Sequence, residues 1–297
     1  MSSLDILQSI YKPYRYTINK GITIVESTSG KFVIKKQNKD LYSLFNYLTS
    51  RGFTNMPTLV RNYKNQENVF TYNEEDIIPK EQKLDNLASV IASLHNKTVY
   101  YKNTSIDNYK EIKELIEDNI HYMQIEYEAL FLKICKEEYM SPSKYLFARN
   151  YYKIVQNLKY TEEKLNNWYS ITQNNSKERV AVVHNNLAMD HYIYNENGGV
   201  LISWDNYKID SPILDIVSLY QKEYLNYDFT CFFQKYLNTF NLLDSEKELL
   251  FILISLPPKI KEGNNEFNNT KYMKQYIDYI YKTEALIRPY NSKEDEK

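Results

Sequence analysis

Residues 182–220 read VVHNNLAMDHYIYNENGGVLISWDNYKIDSPILDIVSLY. The stretch gathers side chains that can accept hydrogen bonds, move protons or bind metal: His184, Asn186, Asp190, His191, Ser203, Asp205 and Asp215. Their types restrict the chemistry. Asn186 can accept a hydrogen bond but cannot take up a proton. Ser203 offers one neutral oxygen to a hard cation that favours carboxylates, and His191 suits softer metals than Mg²⁺. A transition-metal site built from His184, Asp190 and His191 fails on spacing, because residues 190 and 191 are neighbours that point apart in a loop and the set matches no zinc arrangement. The expectation is therefore no metal site, with Asp205 the ligand if there is one. Asp190 and His191 read as loop-surface residues.

The flanking elements must hold this stretch in place. An apolar run over 179–183 feeds into His184, and runs 192–194 and 200–202 flank Asn197-Gly198 as a hairpin. Near the start of the chain, β-like runs at 21–26 and 31–35 are separated by Ser27-Thr28-Ser29-Gly30, another hairpin. Alternation along the second run places Phe32 and Ile34 on one face and Lys31, Val33 and Lys35 on the other. Asp40, Leu44 and Leu48 begin an amphipathic helix over 39–50 that stops at Arg51-Gly52. Runs at 57–60 and 68–72 read as two further strands, and the acidic segment 73–76 lacks an apolar anchor and reads as a hinge.

Beyond residue 80 the helical period takes over. Leu84, Leu87, Ala88 and Ile91 form an apolar face that ends at Leu94-His95-Asn96, with His95 read as a packed structural histidine. Two long amphipathic patterns, 107–135 and 142–172, are separated by Ser141-Pro142-Ser143. Helical patterns at 216–227, 232–240, 245–255 and 269–287 follow, then a charged tail over 291–297 that reads as disordered. The expected fold class is α+β: a small lobe over 1–72 made of an antiparallel sheet and one helix, a hinge over 73–79, and a mostly helical lobe over 80–290.

Composition narrows the function classes. The chain has 297 residues, long enough for a substantial core, with 37 Lys plus Arg against 38 Asp plus Glu. Without a net basic field, nucleic acid is not an expected partner. The N-terminal residues lack a signal-peptide layout and no apolar run is long enough to span a bilayer, so the expected location is cytoplasmic. The 2 cysteines, Cys135 and Cys231, sit in apolar helical patterns and are expected to be buried free thiols. The 30 tyrosines alongside 6 glycines fit either a biased genome or a surface that is adhesive or cross-linkable within an assembly.

The frame of 182–220 resembles the catalytic and metal loops of the aminoglycoside phosphotransferase and choline kinase group of protein-kinase-like folds. His184 and Leu187 keep that frame, Ile202-Ser203-Trp204-Asp205 stands where the metal-binding strand end falls, and Pro212 and Asp215 match the Pro-x-x-Asp that follows. The resemblance implies that Asn186 occupies the catalytic aspartate position, His191 the metal-binding asparagine position and Ser203 the metal-binding aspartate position, while Asp205 matches the second acidic residue. It implies that His184 supports the loop and that Asp215 braces it. It also makes Lys35 the candidate for pairing with nucleotide phosphates, the alternative being a solvent-facing strand-end lysine. Asp40 is the nearest acid to the lysine's usual helix partner, the alternative being a helix N-terminal charge.

Within the group, the Leu-His helix ending and the loop layout resemble the spore-coat-associated kinase-like proteins of endospore-forming bacteria. That likeness implies a pseudokinase acting as a binding or scaffold protein, with protein partners in a coat or other assembly and incorporation into the spore coat. The alternative is an active ATP-dependent small-molecule phosphotransferase that compensates with acids such as Asp205 and Asp190. Only that alternative calls for ATP with Mg²⁺ and a small-molecule acceptor; otherwise no cofactor is expected.

Overall fold

A computed structural model describes residues 12–19, 22–36, 39–60, 67–195 and 198–291. The chain divides into two compact units, one of residues 1–99, 181–210 and 232–240, the other of residues 100–180, 211–231 and 241–297. Segment 73–79 and the stretch 184–205 thus belong to the same unit as the N-terminal strands. The charged tail lies, past Asn291, outside the described residues.

The first unit is built on an antiparallel sheet of β1 (Pro13–Asn19), β2 (Ile22–Ser27), β3 (Gly30–Lys36), β4 (Leu59–Val60) and β5 (Glu67–Thr71), in the order β1-β2-β3-β5-β4. Strand pleating sorts its side chains by face. Val25, Phe32, Ile34 and Val69 form one buried cluster, whereas Val33 and Lys35 fall on the opposite face of β3. β1 lies ahead of the residue-21 start that the sequence pattern gives the first strand. It is an edge strand whose Tyr14, Tyr16 and Ile18 are all exposed, so core burial does not single it out.

Helix α1 (Leu41–Ser50) follows β3 and buries Leu41, Leu44, Phe45 and Leu48. Helix α2 (Lys80–Thr98) buries Leu84, Leu87, Ala88 and Ile91, as its 3.6-residue period requires. The end of α2 is a junction. Thr98 Oγ1 donates to the Leu94 carbonyl at 2.7 Å and accepts the Val182 N–H at 3.1 Å, which ties the helix to the strand leading into the His184 loop. One turn earlier, His95 is 0% exposed, and its Nδ1 lies 2.8 Å from the Tyr236 hydroxyl.

The second unit contains β6 (Tyr100–Asn103), which pairs antiparallel with the first part of β7 (Lys177–Val183). Two long helices, α3 (Ile106–Ile134) and α4 (Pro142–Thr172), follow the two long sequence patterns closely. Later come β8 (Tyr192–Ile193), β9 (Val200–Leu201) and β10 (Lys208–Asp210), which all lie in the first unit. The last helices are α5 (Ile213–Glu223), α6 (Thr230–Thr239), α7 (Asp244–Ser255) and α8 (Glu266–Asn291). The core of the second unit gathers Ile120, Met123, Phe147, Ile154, Trp168 and Ile280 from α3, α4 and α8.

Both cysteines depart from expectation. Cys135 and Cys231 are free but exposed. Cys135 caps the C-terminus of α3 and Cys231 lies in the first turn of α6. At such termini an apolar neighbourhood in sequence does not guarantee a buried face.

Tyrosine burial gives the fold a pH signature. Burial pushes the Tyr220 hydroxyl from 10.0 up to about 12, partly offset by its hydrogen bond with Thr283, and burial likewise pushes Tyr192 up to about 12. The unfolded chain therefore loses these protons first as pH rises, so native stability is full below the ordinary tyrosine value and declines toward pH 12. Urea unfolding followed across this range should show the decline, with a shallower slope for Tyr220→Phe. An identical slope would remove Tyr220 as a source of the effect.

Candidate functional site

The site is shaped by a tight reversal of the chain at Ser203. Its φ of 66° and ψ of 49° put this non-glycine residue in the left-handed region, a conformation disfavoured for most side chains. The reversal drives Trp204 into the core. Trp204 is 1% exposed, donates its indole N–H to the Leu201 carbonyl at 2.7 Å, and meets Phe45 and Phe53 edge-on with centroids 6.2 and 6.3 Å apart. The next residue, Asp205, is then carried to β3, where its carboxylate forms an ion pair with Lys35.

Two histidines hold the loop that runs beside this reversal. His184 is 0% exposed, and its Nε2 lies 2.8 Å from the Ile202 carbonyl. A carbonyl only accepts, so Nε2 carries the proton in this bond. The His184 ring also packs edge-on against Trp204 at 4.8 Å. His191 Nδ1 similarly donates to the Asn186 carbonyl at 2.6 Å, while the His191 carbonyl accepts the Ile202 N–H at 2.9 Å. Asn185 takes a positive φ of 54° and donates from its side chain to the Asn206 carbonyl at 3.0 Å. The residues around 184–191 and 202–206 thus form one hydrogen-bonded body.

The β8–β9 hairpin supports it from the other side. Asn55 donates to the Gly199 carbonyl at 2.8 Å, and the Leu201 N–H bonds the Asn55 carbonyl at 3.0 Å. Gly199 has φ +84°, and a Cβ there would overlap the Tyr192 ring, so glycine is required for both reasons. Asn197 of the expected turn lies outside the described residues.

A cavity of about 290 Å³ opens between these pieces. Its walls are mainly apolar, with Ile24, Val33, Phe70 and Ile202 among them, and Lys35, Ser203 and Asp205 lie at one side with Tyr72, Asn73 and Glu75 along the connecting segment. That segment is fastened: Lys31 bonds Glu74 at 2.9 Å, Lys83 pairs with Glu75, and the Asp76 N–H reaches the Tyr194 carbonyl at 2.9 Å.

Of the residues singled out from sequence, the structure brings Lys35, Ser203 and Asp205 together around this cavity. Asn186 is half-buried and Asp190 is exposed, and neither they nor His191 are among the lining residues. Asp40 does not reach Lys35. It is the N-cap of α1, accepting from the Tyr42 N–H at 2.9 Å and the Ser43 hydroxyl at 2.7 Å, which is its helix-terminal alternative. Asp215 lies in the first turn of α5, in the second unit, with 0% exposure. Among the described residues no group of three or more His, Cys, Asp and Glu could hold a metal ion. Sequence reasoning missed the pairing of Lys35 with Asp205 across 170 positions; no local pattern encodes so distant a partner.

No family model matches the chain, and no curated protein matches its sequence. Solved structures do match it over nearly its whole length. An aminoglycoside phosphotransferase from Alicyclobacillus acidocaldarius superposes with a TM-score of 0.71 at 12% identity, covering 96% of this chain and 93% of that one. A spectinomycin phosphotransferase in complex with AMP gives a TM-score of 0.54 at 10% identity, covering 94% and 96%. A choline/ethanolamine kinase family protein from Mesorhizobium loti gives 0.50 at 10% identity, covering 96% of each. The chain therefore has the α+β protein-kinase-like fold, with an antiparallel sheet in its N-terminal part and a larger, mostly helical C-terminal part.

Two substitutions probe this arrangement. A β-branched side chain at the left-handed position should be costly, so Ser203→Val should lower stability by about 1–2 kcal/mol, whereas Ser203→Asn, whose short polar side chain tolerates that region, should cost much less. Equal urea midpoints for the two variants would show that the reversal does not constrain residue 203. Asp215→Ala removes a fully buried carboxylate and strands whatever hydrogen-bonds it, so a loss of about 2–4 kcal/mol is expected in the same assay.

Proposed function

We propose that this chain is a pseudokinase: a protein with the kinase-like fold that binds ligands or partners without transferring phosphate. The observation that carries the reading is the Lys35–Asp205 ion pair. Under the active alternative Asp205 is the acid that would have to replace a missing metal ligand, yet its carboxylate is engaged by the lysine that would meet the phosphates. The remaining donors at that end of the cavity do not fit Mg²⁺, because Ser203 supplies a neutral hydroxyl where a hard cation takes carboxylates. The other compensating acid, Asp190, is solvent-exposed and outside the cavity lining.

The proton-accepting role is also weakened. At the position that the resemblance assigns to the catalytic aspartate stands Asn186, which cannot act as a base, and removal of a general base costs about 10²–10⁴ in rate. Loss of metal-assisted charge stabilisation adds to this, and that electrostatic contribution is usually the larger one. In this reading His184 and Asp215 serve the architecture rather than the chemistry.

The binding or scaffold role is placed in an assembly, with the spore coat as the specific setting. That setting rests on the Leu94-His95 helix ending and the 184–205 layout. The exposed tyrosines, including Tyr139 at 84% and Tyr152 at 72%, would give such an assembly aromatic contact surface. On this reading the protein is made in the cytoplasm and needs neither nucleic acid nor a membrane; among the described residues no helix is long and apolar enough to cross a membrane.

The deciding experiment uses γ-labelled ATP with Mg²⁺ and offers aminoglycosides, choline, sugars and the protein itself as acceptors. The wild type is expected to transfer no label. An Asp205→Ala control and an Asn186→Asp/Ser203→Asp double variant complete the set, the latter expected to recover nucleotide binding before any turnover. Transfer by the wild type that vanishes in Asp205→Ala would overturn the reading and make Asp205 a metal ligand.

A further inference from the structure

Resting on the pseudokinase reading, we infer that the cavity beside Lys35 and Asp205 selects an uncharged, flat heteroaromatic ligand of nucleoside size, and does so without a divalent cation. The inference follows from the balance of charge in the lining. Among the described residues, Lys35 is the only basic one lining the cavity, and its ammonium is paired with Asp205, with side chains only 29% and 14% exposed. The other lining carboxylate, Glu75, is paired with Lys83. Among the described lining residues, a polyphosphate entering here would meet no unpaired cation. To engage Lys35 it must displace Asp205 and leave that half-buried carboxylate beside its own negative charge, which is unfavourable on both counts.

The β2–β3 turn offers no substitute. In many anion sites, phosphate oxygens are received by successive amides of a turn. In the β2–β3 turn, the Ser29 N–H is already taken by the Ser27 hydroxyl at 3.2 Å, and that hydroxyl donates onward to the Gly30 carbonyl at 2.8 Å. The turn is closed on itself.

Size and surface point the same way. A volume of about 290 Å³ lies at the small end for ligand pockets, enough for a ring system with a short polar appendage. Aliphatic side chains from both walls, Ile24 and Val33 on the sheet and Ile202 beside the Ser203 reversal, would sandwich a planar ring. Asn73, on the segment fastened by the Lys31–Glu74 and Lys83–Glu75 ion pairs, supplies polar groups at the edge. A ligand that is planar and neutral uses all of this and disturbs neither ion pair. The AMP bound by the structurally similar spectinomycin phosphotransferase makes adenine compounds the natural probe series.

The test is calorimetric titration of the full chain with adenosine, guanosine, AMP and ATP, each with and without saturating Mg²⁺. At least one nucleoside is expected to bind, with ATP weaker by about tenfold or more and Mg²⁺ changing neither affinity. Asp205→Asn frees Lys35, so it should tighten ATP by about tenfold relative to the nucleoside. Lys35→Met removes the ammonium that the ion pair withholds, so it should gain nothing for ATP. Circular dichroism establishes that each variant is folded, and either variant alone suffices for the comparison. Tighter binding of ATP than of nucleoside, enhancement by Mg²⁺, or no binding by any probe would each overturn the inference. The label-transfer assay separates this from the parent reading: ATP preferred but not turned over sinks the ligand class and leaves the pseudokinase standing, whereas turnover sinks both.

Discussion

Burial of Trp204 is the constraint from which the geometry of the site unfolds. A tryptophan removes a large apolar surface from water and also needs a partner for its indole N–H. Here the ring sits among Phe45, Phe53 and His184, and the N–H is met by the Leu201 carbonyl three residues back. Satisfying both demands over so short a span forces the backbone to turn sharply between Leu201 and Trp204, and the left-handed conformation of Ser203 is the form the turn takes. The strain, of the order of 1–2 kcal/mol for a non-glycine residue, is comparable with the burial energy of one large side chain and is readily offset by it.

Placement of Asp205 is a consequence of this packing. Once Trp204 is seated, the following side chain is directed toward β3, whose pleat brings Lys35 out on the face opposite Phe32 and Ile34. Neither partner is free to move far, since β3 is paired on both sides within the sheet and the 202–206 segment is bonded to His184, His191 and Asn185. The ion pair therefore joins two rigid bodies rather than two flexible arms. Its side chains are 29% and 14% exposed and so less screened by water, which distinguishes it from the surface pairs elsewhere on the chain, such as Lys110–Glu114 with side chains 60% and 57% exposed.

How much of this could be read from the sequence depends on the range of the interaction. The β2–β3 hairpin, the helical faces of α1 and α2, the two long helices and the β8–β9 hairpin are written in local periodicity and turn residues, and their places agree with the structure to within a few residues. The frame of the loop was read differently, from the resemblance carried by His184, Leu187 and Ile202-Ser203-Trp204-Asp205, and not from periodicity. What could not be read is set by contacts distant in sequence or by the solvent. Asp40 has the right charge to be a lysine partner, but an N-cap needs only its own next residues to satisfy it, and that local bond is made. β1 alternates Tyr14, Tyr16 and Ile18 with polar neighbours, yet none of these three is buried, so its pattern carries no core-facing stripe. The cysteines were misjudged for a related reason: sequence neighbours describe an average face, while a helix end exposes residues that the periodicity would bury.

The same lysine has different energetic meanings according to what surrounds it. A β3 lysine facing a cleft with two or more carboxylates can release one of them to a metal and remain neutralised by the others. With Ser203 beside it, the carboxylate available to Lys35 at that end of the cavity is Asp205, and any process that draws Asp205 away leaves a half-buried ammonium to be solvated anew. The pair thus resists both halves of what a phosphoryl-transfer site must do, which is to offer its cation to phosphate and its anion to a metal. Replacing Ser203 with a carboxylate would alter that balance even before any metal arrived, because Lys35 would then face two anions and Asp205 could be released at lower cost. On this argument the electrostatic state of Lys35, more than the presence or absence of any one acidic residue, decides whether such a cleft holds a charged nucleotide or a neutral ligand.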